Sequence, residues 1–175
     1  MAYSNIDGMA AEVLFSRLLS QHSATFSRVN IQEIFSAGEL IDLALEYFPS
    51  KVANYLHSSG RILEDLEGLL LEDILDLFFK IDFLIEVDLG EDKPIWVVVD
   101  ITSNPQKVRG KNYELYQNQK VLEKLGVNLA MVVYWKIESF TSKDKELSYQ
   151  LATQLYEDIE KYWSRGRFTG SSILI

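Results

Sequence analysis

The pattern of apolar and polar residues predicts a β-hairpin near the middle of the chain. Residues 80–87 and 95–102 are two runs of strand-forming residues, joined by a polar turn that contains Gly90. The first run alternates between apolar and polar positions, which is typical of a strand covered on one face. The second run is apolar on both faces, so we expect a central strand that is covered on both sides.

One carboxylate, Asp100, interrupts the second run, and burying an unpartnered carboxylate is costly. If the turn is symmetric about Glu91, paired residue numbers sum to 182, which sets Asp82 opposite Asp100 and Lys80 opposite Thr102. Carboxylates opposed at about 5 Å repel each other, and a shared proton, a cationic side chain or a bound Mg²⁺ would relieve the repulsion. Alternatively, both acids lie at strand ends and are satisfied by water and backbone amides. A one-residue slip would instead separate them onto opposite faces.

The periodicity elsewhere predicts helices on both sides of the hairpin and a second buried strand. The strand is predicted at 127–135, and with 95–102 and the helix between them it forms a parallel strand–helix–strand unit. Residues 21–37 are predicted as a loop or short irregular elements, and the tail 165–175 is an edge strand, a partner-binding segment or a disordered segment. We expect a single domain over 1–175. The predicted helices are 9–20, 38–48, 49–56, 61–75, 108–125 and 143–164.

Composition and charge narrow the classes of function. The chain has no cysteine, which excludes thiolate metal sites, and His22 and His57 share no metal-ligand spacing. Residues 1–92 carry 17 acidic against 5 basic side chains, whereas residues 93–175 carry 9 against 12. Only the second half therefore offers a basic surface for nucleic acid. The first residues lack a basic leader and no apolar run spans a bilayer, so we expect a cytoplasmic protein without a membrane segment.

The order of these elements resembles the PD-(D/E)XK nuclease superfamily. The similarity rests on "KIDFLIEV" followed by "PIWVVVDIT", after an early helix and before a polar helix and a strand. Asp82 matches the first acid of the family pattern, Asp100 the second, and Glu12 the glutamate of the first helix. The resemblance implies an α/β protein with a restriction-endonuclease-like core, a central mixed β-sheet flanked by helices. Residues 38–75 are then an acidic helical insert before the hairpin.

The resemblance implies metal-dependent hydrolysis of DNA phosphodiester bonds. Asp82, Asp100 and the Ile101 carbonyl would hold Mg²⁺ or Mn²⁺, and Glu12 would orient the site. Thr102 stands where the family has a lysine, and threonine cannot supply the positive charge that stabilises the phosphate. Lys80 or Lys111 would supply it instead. The residues expected to contact DNA are Lys107, Arg109, Tyr113 and Gln117.

A second hypothesis is a catalytically inactive protein with the same fold. It would act as a protein-interaction or regulatory module, binding a partner through its acidic helices or its tail, because fold alone does not decide function. A homodimer is also an open alternative. The missing lysine and the net charge of −9 favour this hypothesis, whereas the paired aspartates and the basic helix favour the nuclease.

Overall fold

The computed structural model describes residues 8–138, 141 and 143–175, and the chain divides into two compact units. The first unit consists of the chain up to Val29 and from Phe83 onwards, and the second of residues 30–82. Within the described residues, no helix is long and apolar enough to cross a membrane.

The first unit contains a mixed β-sheet in which the strands lie in sequence order. β1, β2 and β3 are antiparallel to one another in turn, whereas β3, β4 and β5 are parallel. This arrangement confirms the predicted α/β class with a mixed sheet flanked by helices. It also shows that the tail forms an edge strand, one of the three alternatives. The strands are β1 Phe26–Arg28, β2 Phe83–Val87, β3 Ile95–Thr102, β4 Leu129–Trp135 and β5 Thr169–Leu174.

The hairpin of β2 and β3 has the predicted register. Phe83 pairs with Val99 and Val87 with Ile95, so the paired numbers sum to 182. The prediction that the first strand begins at residue 80 is wrong, because β2 begins at Phe83. A π-helical turn, Leu75–Phe79, precedes it and ends at Lys80, whose φ of 60° is left-handed rather than extended.

One face of the sheet packs against two helices, α1 Gly8–Gln21 and α8 Lys145–Ser164, in a continuous apolar core. Val97 and Val99 of β3 belong to this core. The Phe83 ring meets the Phe15 ring of α1 edge-on, with 5.2 Å between centroids. The Cζ of Arg28 lies over the Phe83 ring, 4.9 Å from its centroid. These contacts fix the start of β2 against α1.

The opposite face is covered by α6 Val108–Gln117 and α7 Gln119–Lys124, which follow a short 3₁₀ turn, Pro105–Lys107. Leu115, Val121 and Leu122 are their buried apolar residues. The sequence predicted one helix over 108–125, and the structure corrects this to two, because the chain leaves helical geometry at Asn118. Residues 21–37, predicted as a loop or short irregular elements, contain the short strand β1 and the start of the second unit.

The second unit is built from short helices and turns, and the predicted insert 38–75 lies inside it. The whole second unit, residues 30–82, has 11 acidic and 3 basic side chains. The prediction of one helix over 61–75 is wrong, because the chain is extended at Leu69 and Leu70 after Gly68. The helices of this unit are α2 Ile31–Ile34, α3 Ala37–Tyr47, α4 Pro49–Ser59 and α5 Leu71–Ile74, with a 3₁₀ turn at Leu63–Gly68.

Candidate functional site

An ion pair joins Asp100 of β3 to Lys111 of α6. Asp100 is 3% exposed, and the Lys111 Nζ donates a hydrogen bond to its Oδ1. The Lys111 side chain keeps 27% of its surface exposed. A buried carboxylate needs a partner, and Lys111 is a cation that partners Asp100 within the first unit.

The turn after β3 sets the start of α6. Thr102, which is buried, accepts a hydrogen bond from the Asn104 amide at its Oγ1 (3.1 Å), and the Asn104 side chain accepts one from the Gln106 amide (3.0 Å). Such side-chain-to-backbone bonds are the usual way in which threonine and asparagine shape a turn. Thr102 therefore has a structural role in this turn.

The first turns of α6 lie over β4 and are tied to the strands on both sides of it. Lys111 reaches β3 through Asp100, and the next residue, Asn112, donates from its Nδ2 to the Gly170 carbonyl of β5 at 2.8 Å. Two neighbouring side chains therefore hold this helix from opposite directions. The backbone at Lys111 is fixed while its long side chain retains rotatable bonds.

Lys80 and Asp82, the other predicted members of the site, end the second unit. Both are half-buried, and Asp82 directly precedes β2 without belonging to its ladder. The predicted pairing of Asp82 with Asp100 stays a prediction. The same holds for Lys80 as a substitute for the missing lysine.

Glu12 is half-buried on α1, and α1 packs against the sheet face that bears Val97 and Val99. Successive residues of a strand point to opposite faces, so Asp100 points to the other face, where α6 lies. The structure thus places α1 and the Asp100 side chain on opposite sides of the sheet. A role for Glu12 at this site stays a prediction.

The predicted DNA-contacting residues, Lys107, Arg109, Tyr113 and Gln117, are all exposed. Arg109, Tyr113 and Gln117 follow one another at intervals of four and therefore share one face of α6. Tyr113 is 61% exposed, although its apolar ring could have packed on the sheet. Arg109, Tyr113 and Gln117 therefore form an accessible stripe on the side of α6 away from Lys111, which is two residues from both Arg109 and Tyr113.

A metal ion at Asp100 would have few protein ligands. In the described part of the chain, no three His, Cys, Asp or Glu side chains converge as a metal-binding group. An ion would rely on one or two carboxylates, the adjacent Ile101 carbonyl and water, a ligand set that suits Mg²⁺ better than Zn²⁺.

Among the described residues, one histidine, His22, contacts a serine, Ser148. The geometry of this contact does not support catalysis by a serine nucleophile. His22 Nε2 lies 2.7 Å from Ser148 Oγ, and the Ser148 hydroxyl donates to Gln21 Oε1 at 2.6 Å. A hydroxyl has a single proton, so Ser148 accepts from His22. His22 therefore cannot act as the base that activates this serine in the observed geometry.

A polar cleft of about 510 Å³ lies on the β5 side of α6 and was not predicted from the sequence. Its lining side chains include Asn112, Tyr116, Gln119, Tyr162 and Arg167. They come from three helices and the turn before β5, so no local motif unites them. The spacing of Asn112, Tyr116 and Gln119, which places them on one helical face, was the available signal.

Comparison with known proteins gives no family assignment. No family model matches the chain, and neither a curated protein nor a solved structure matches it. The residues around Asp100 therefore carry the functional inference.

Proposed function

We propose that this protein is a metal-dependent nuclease that hydrolyses DNA phosphodiester bonds on a restriction-endonuclease-like core. The observation that carries the proposal is the ion pair between Lys111 and Asp100. It supports Lys111 as the cation that the sequence lacks at Thr102. The mixed sheet, with helices on both faces, is consistent with the core implied by the resemblance.

Asp82, Asp100 and the Ile101 carbonyl would hold Mg²⁺ or Mn²⁺. When bound, the ion would supply Lewis-acid stabilisation of the phosphate and activation of water. Lys111 would then turn from Asp100 to the negative charge that develops on the phosphate, since the metal would take over the neutralisation of the carboxylate. The partly exposed side chain of Lys111 and the anchored α6 backbone are compatible with that movement.

Exposed side chains on α6 and on the turn before it would contact the DNA backbone. Lys107 and Arg109 would bind phosphates, and Tyr113 and Gln117 would add stacking or hydrogen bonds. Binding through such cations weakens as salt concentration rises, because bound counterions are released from DNA. The proposal therefore includes salt-sensitive binding.

Cleavage of supercoiled plasmid by the purified full chain tests the proposal. With Mg²⁺ or Mn²⁺ we expect nicking, which chelator stops and Asp82→Ala abolishes. Lys111→Ala should reduce the rate at least about 100-fold, the usual loss when one transition-state donor is removed. Lys107→Ala is the matched control, since Lys107 is exposed in the same basic stretch and is four residues from Lys111.

Two results would contradict the proposal. Cleavage that survives Asp82→Ala would indicate a contaminating nuclease. Equal losses for Lys111→Ala and Lys107→Ala would show that Lys111 contributes only to general DNA binding. Thermal melts of each variant separate loss of activity from loss of folding.

An inactive interaction module is the second candidate, and two observations favour it. Lys111 neutralises the Asp100 carboxylate, and the second unit carries 11 acidic against 3 basic side chains. Such a unit would favour a basic protein partner. Wild-type protein that neither nicks DNA nor binds Mg²⁺ in calorimetry would support this candidate.

A further inference from the structure

The polar cleft beside α6 is built from three parts of the first unit. Asn112, Tyr116 and Gln119 come from α6 and α7, Tyr162 from the end of α8, and Arg167 from the turn that leads into β5. Its volume of about 510 Å³ is within the range of small-ligand sites.

The backbone at Arg167 is held by the way in which α8 ends. Gly166 has a φ of 66°, its amide donates to the Trp163 carbonyl at 3.0 Å, and the Arg167 amide donates to the Tyr162 carbonyl at 3.1 Å. These two bonds with a left-handed glycine constitute a Schellman motif. Arg167 therefore projects from a fixed backbone position, which lowers the entropic cost of binding a ligand.

The remaining lining groups combine aromatic rings with amides. Tyr116, although 59% exposed, lines the cleft, and Tyr162 packs so closely on Gly170 that a methyl group there would meet its ring. The Asn112 amide is held by the Gly170 carbonyl. Rings that stack on a planar base, together with a cation for phosphate, are the groups with which proteins bind nucleotides.

Charge separates this cleft from others on the same protein. Its lining contains one arginine and no carboxylate. Three other clefts among the described residues each contain at least one carboxylate, for example Asp88, Asp92 or Glu146. Arg167 itself has no ion-pair partner within the part of the chain that the structure describes. In a chain of net charge −9, this is a local site suited to an anion.

We propose that this cleft binds one nucleotide, with the phosphate at Arg167 and the base against Tyr116. The nucleotide could be free or one unit of a single strand, since both present the same base and phosphate. This binding does not depend on cleavage at Asp100, because none of the cleft residues belongs to the proposed metal site.

Binding of fluorescein-labelled octathymidylate by the full chain, measured as anisotropy in EDTA, tests the inference. Thymidine 5′-monophosphate and inorganic phosphate serve as unlabelled competitors. We expect Arg167→Ala and Tyr116→Ala each to weaken binding at least about fivefold, the effect of losing a phosphate contact or a stacking ring. Tyr116→Phe should retain binding, because it keeps the ring.

The chain offers a matched control for each variant. Arg165 is exposed on the same turn as Arg167, and Tyr149 is an exposed tyrosine, with 68% exposure against 59% for Tyr116, but neither lines this cleft. Arg165→Ala and Tyr149→Ala should each change affinity by less than about twofold, as expected for one weak surface contact. Repeating the titration with Asp100→Asn separates this site from the proposed nuclease centre.

The outcomes decide the inference as follows. Loss confined to Arg167→Ala and Tyr116→Ala supports it. In that case, octathymidylate tighter than the monophosphate indicates a strand, and equal affinities indicate a free nucleotide. Equal losses for Arg165→Ala and Arg167→Ala, inorganic phosphate competing as well as the monophosphate, or no binding of any probe would overturn it.

Discussion

Lys111 donates a hydrogen bond to the buried carboxylate of Asp100, 11 residues earlier in the chain. The pair ties α6 to the central strand, and its two members differ in exposure. The side chain of Asp100 is 5% exposed and that of Lys111 is 27% exposed. Removing either one therefore has a different consequence for the other.

The first prediction is that Lys111→Met destabilises the protein more than Asp100→Asn does. Without Lys111 a buried carboxylate loses its cation, which we expect to cost about 1–3 kcal/mol in the free energy of unfolding. Without the charge on Asp100, the longer lysine can turn towards water. Urea denaturation in EDTA at neutral pH measures both, with Lys107→Met as the control for losing one surface cation.

A large loss for Asp100→Asn alone would contradict this prediction. It would mean that backbone amides, rather than Lys111, hold the carboxylate. The double variant gives a further check, because the effects of two residues in contact should not be additive.

The second prediction is that a lysine at position 102 can replace Lys111. Residues 100 and 102 are two apart on β3 and share the face on which α6 lies. In the Lys111→Ala background, Thr102→Lys should restore part of the metal-dependent nicking, whereas in the wild-type background it should add little. Plasmid cleavage measures both.

The substitution also removes the Thr102 Oγ1 hydrogen bonds in the turn. Thermal melts should therefore accompany the assay. No recovery of cleavage in a folded double variant would count against Lys111 as the substitute cation.

The hairpin register could be predicted because strand pairing depends on a short local turn. Symmetry about Glu91 predicted the observed pairs, from Phe83 with Val99 to Val87 with Ile95. The start of β2 could not be predicted from alternation, since Leu77, Phe79 and Ile81 fit a strand pattern equally well. A π-helical turn and the left-handed Lys80 override that pattern.

The Asp100 site was predictable only in part. Lys111 was one of two lysines considered for the missing charge, and the choice between them needs the path of α6 over β4. Arg167 was not singled out, because its proximity to Tyr116 arises from the parallel pairing of β5 with β4. The order strand, helix, strand did predict the parallel pairing of β3 with β4, whereas the pattern of residues 165–175 left three alternatives open.

The third prediction concerns alkaline pH and Tyr156. Burial raises the pKa of the Tyr156 phenol, and the nearby Glu160 and Asp88 raise it further. The stability that this shift contributes is fully present below the unfolded pKa of about 10 and is lost as the pH rises through the folded pKa. Tyr156→Phe should therefore lose less stability than wild type over that range.

Urea denaturation at a series of pH values tests this, with Tyr149→Phe as the control. Tyr149 and Tyr156 line one cleft, distinct from the polar cleft beside α6, but Tyr149 is 68% exposed. Identical pH profiles for wild type and Tyr156→Phe would show that the phenol has the same pKa in the folded and unfolded chain.

The last prediction tests the close contact between Gly170 and Tyr162. A Cβ at position 170 would lie 2.3 Å from Cδ2 of the Tyr162 ring, so Gly170→Ala must displace the ring or the strand. We expect a loss of about 1–3 kcal/mol in the free energy of unfolding, as for other overpacked sites.

Gly110→Ala is the control of opposite sign: Gly110 lies within α6 with open space around it, and alanine there should stabilise by about 0.5–1 kcal/mol. In a Tyr162→Ala background the cost of Gly170→Ala should largely disappear, because the clashing ring is gone. If the cost persists there, the strand itself rather than the ring rejects the methyl group, and Tyr162 is not held in the cleft by its contact with Gly170.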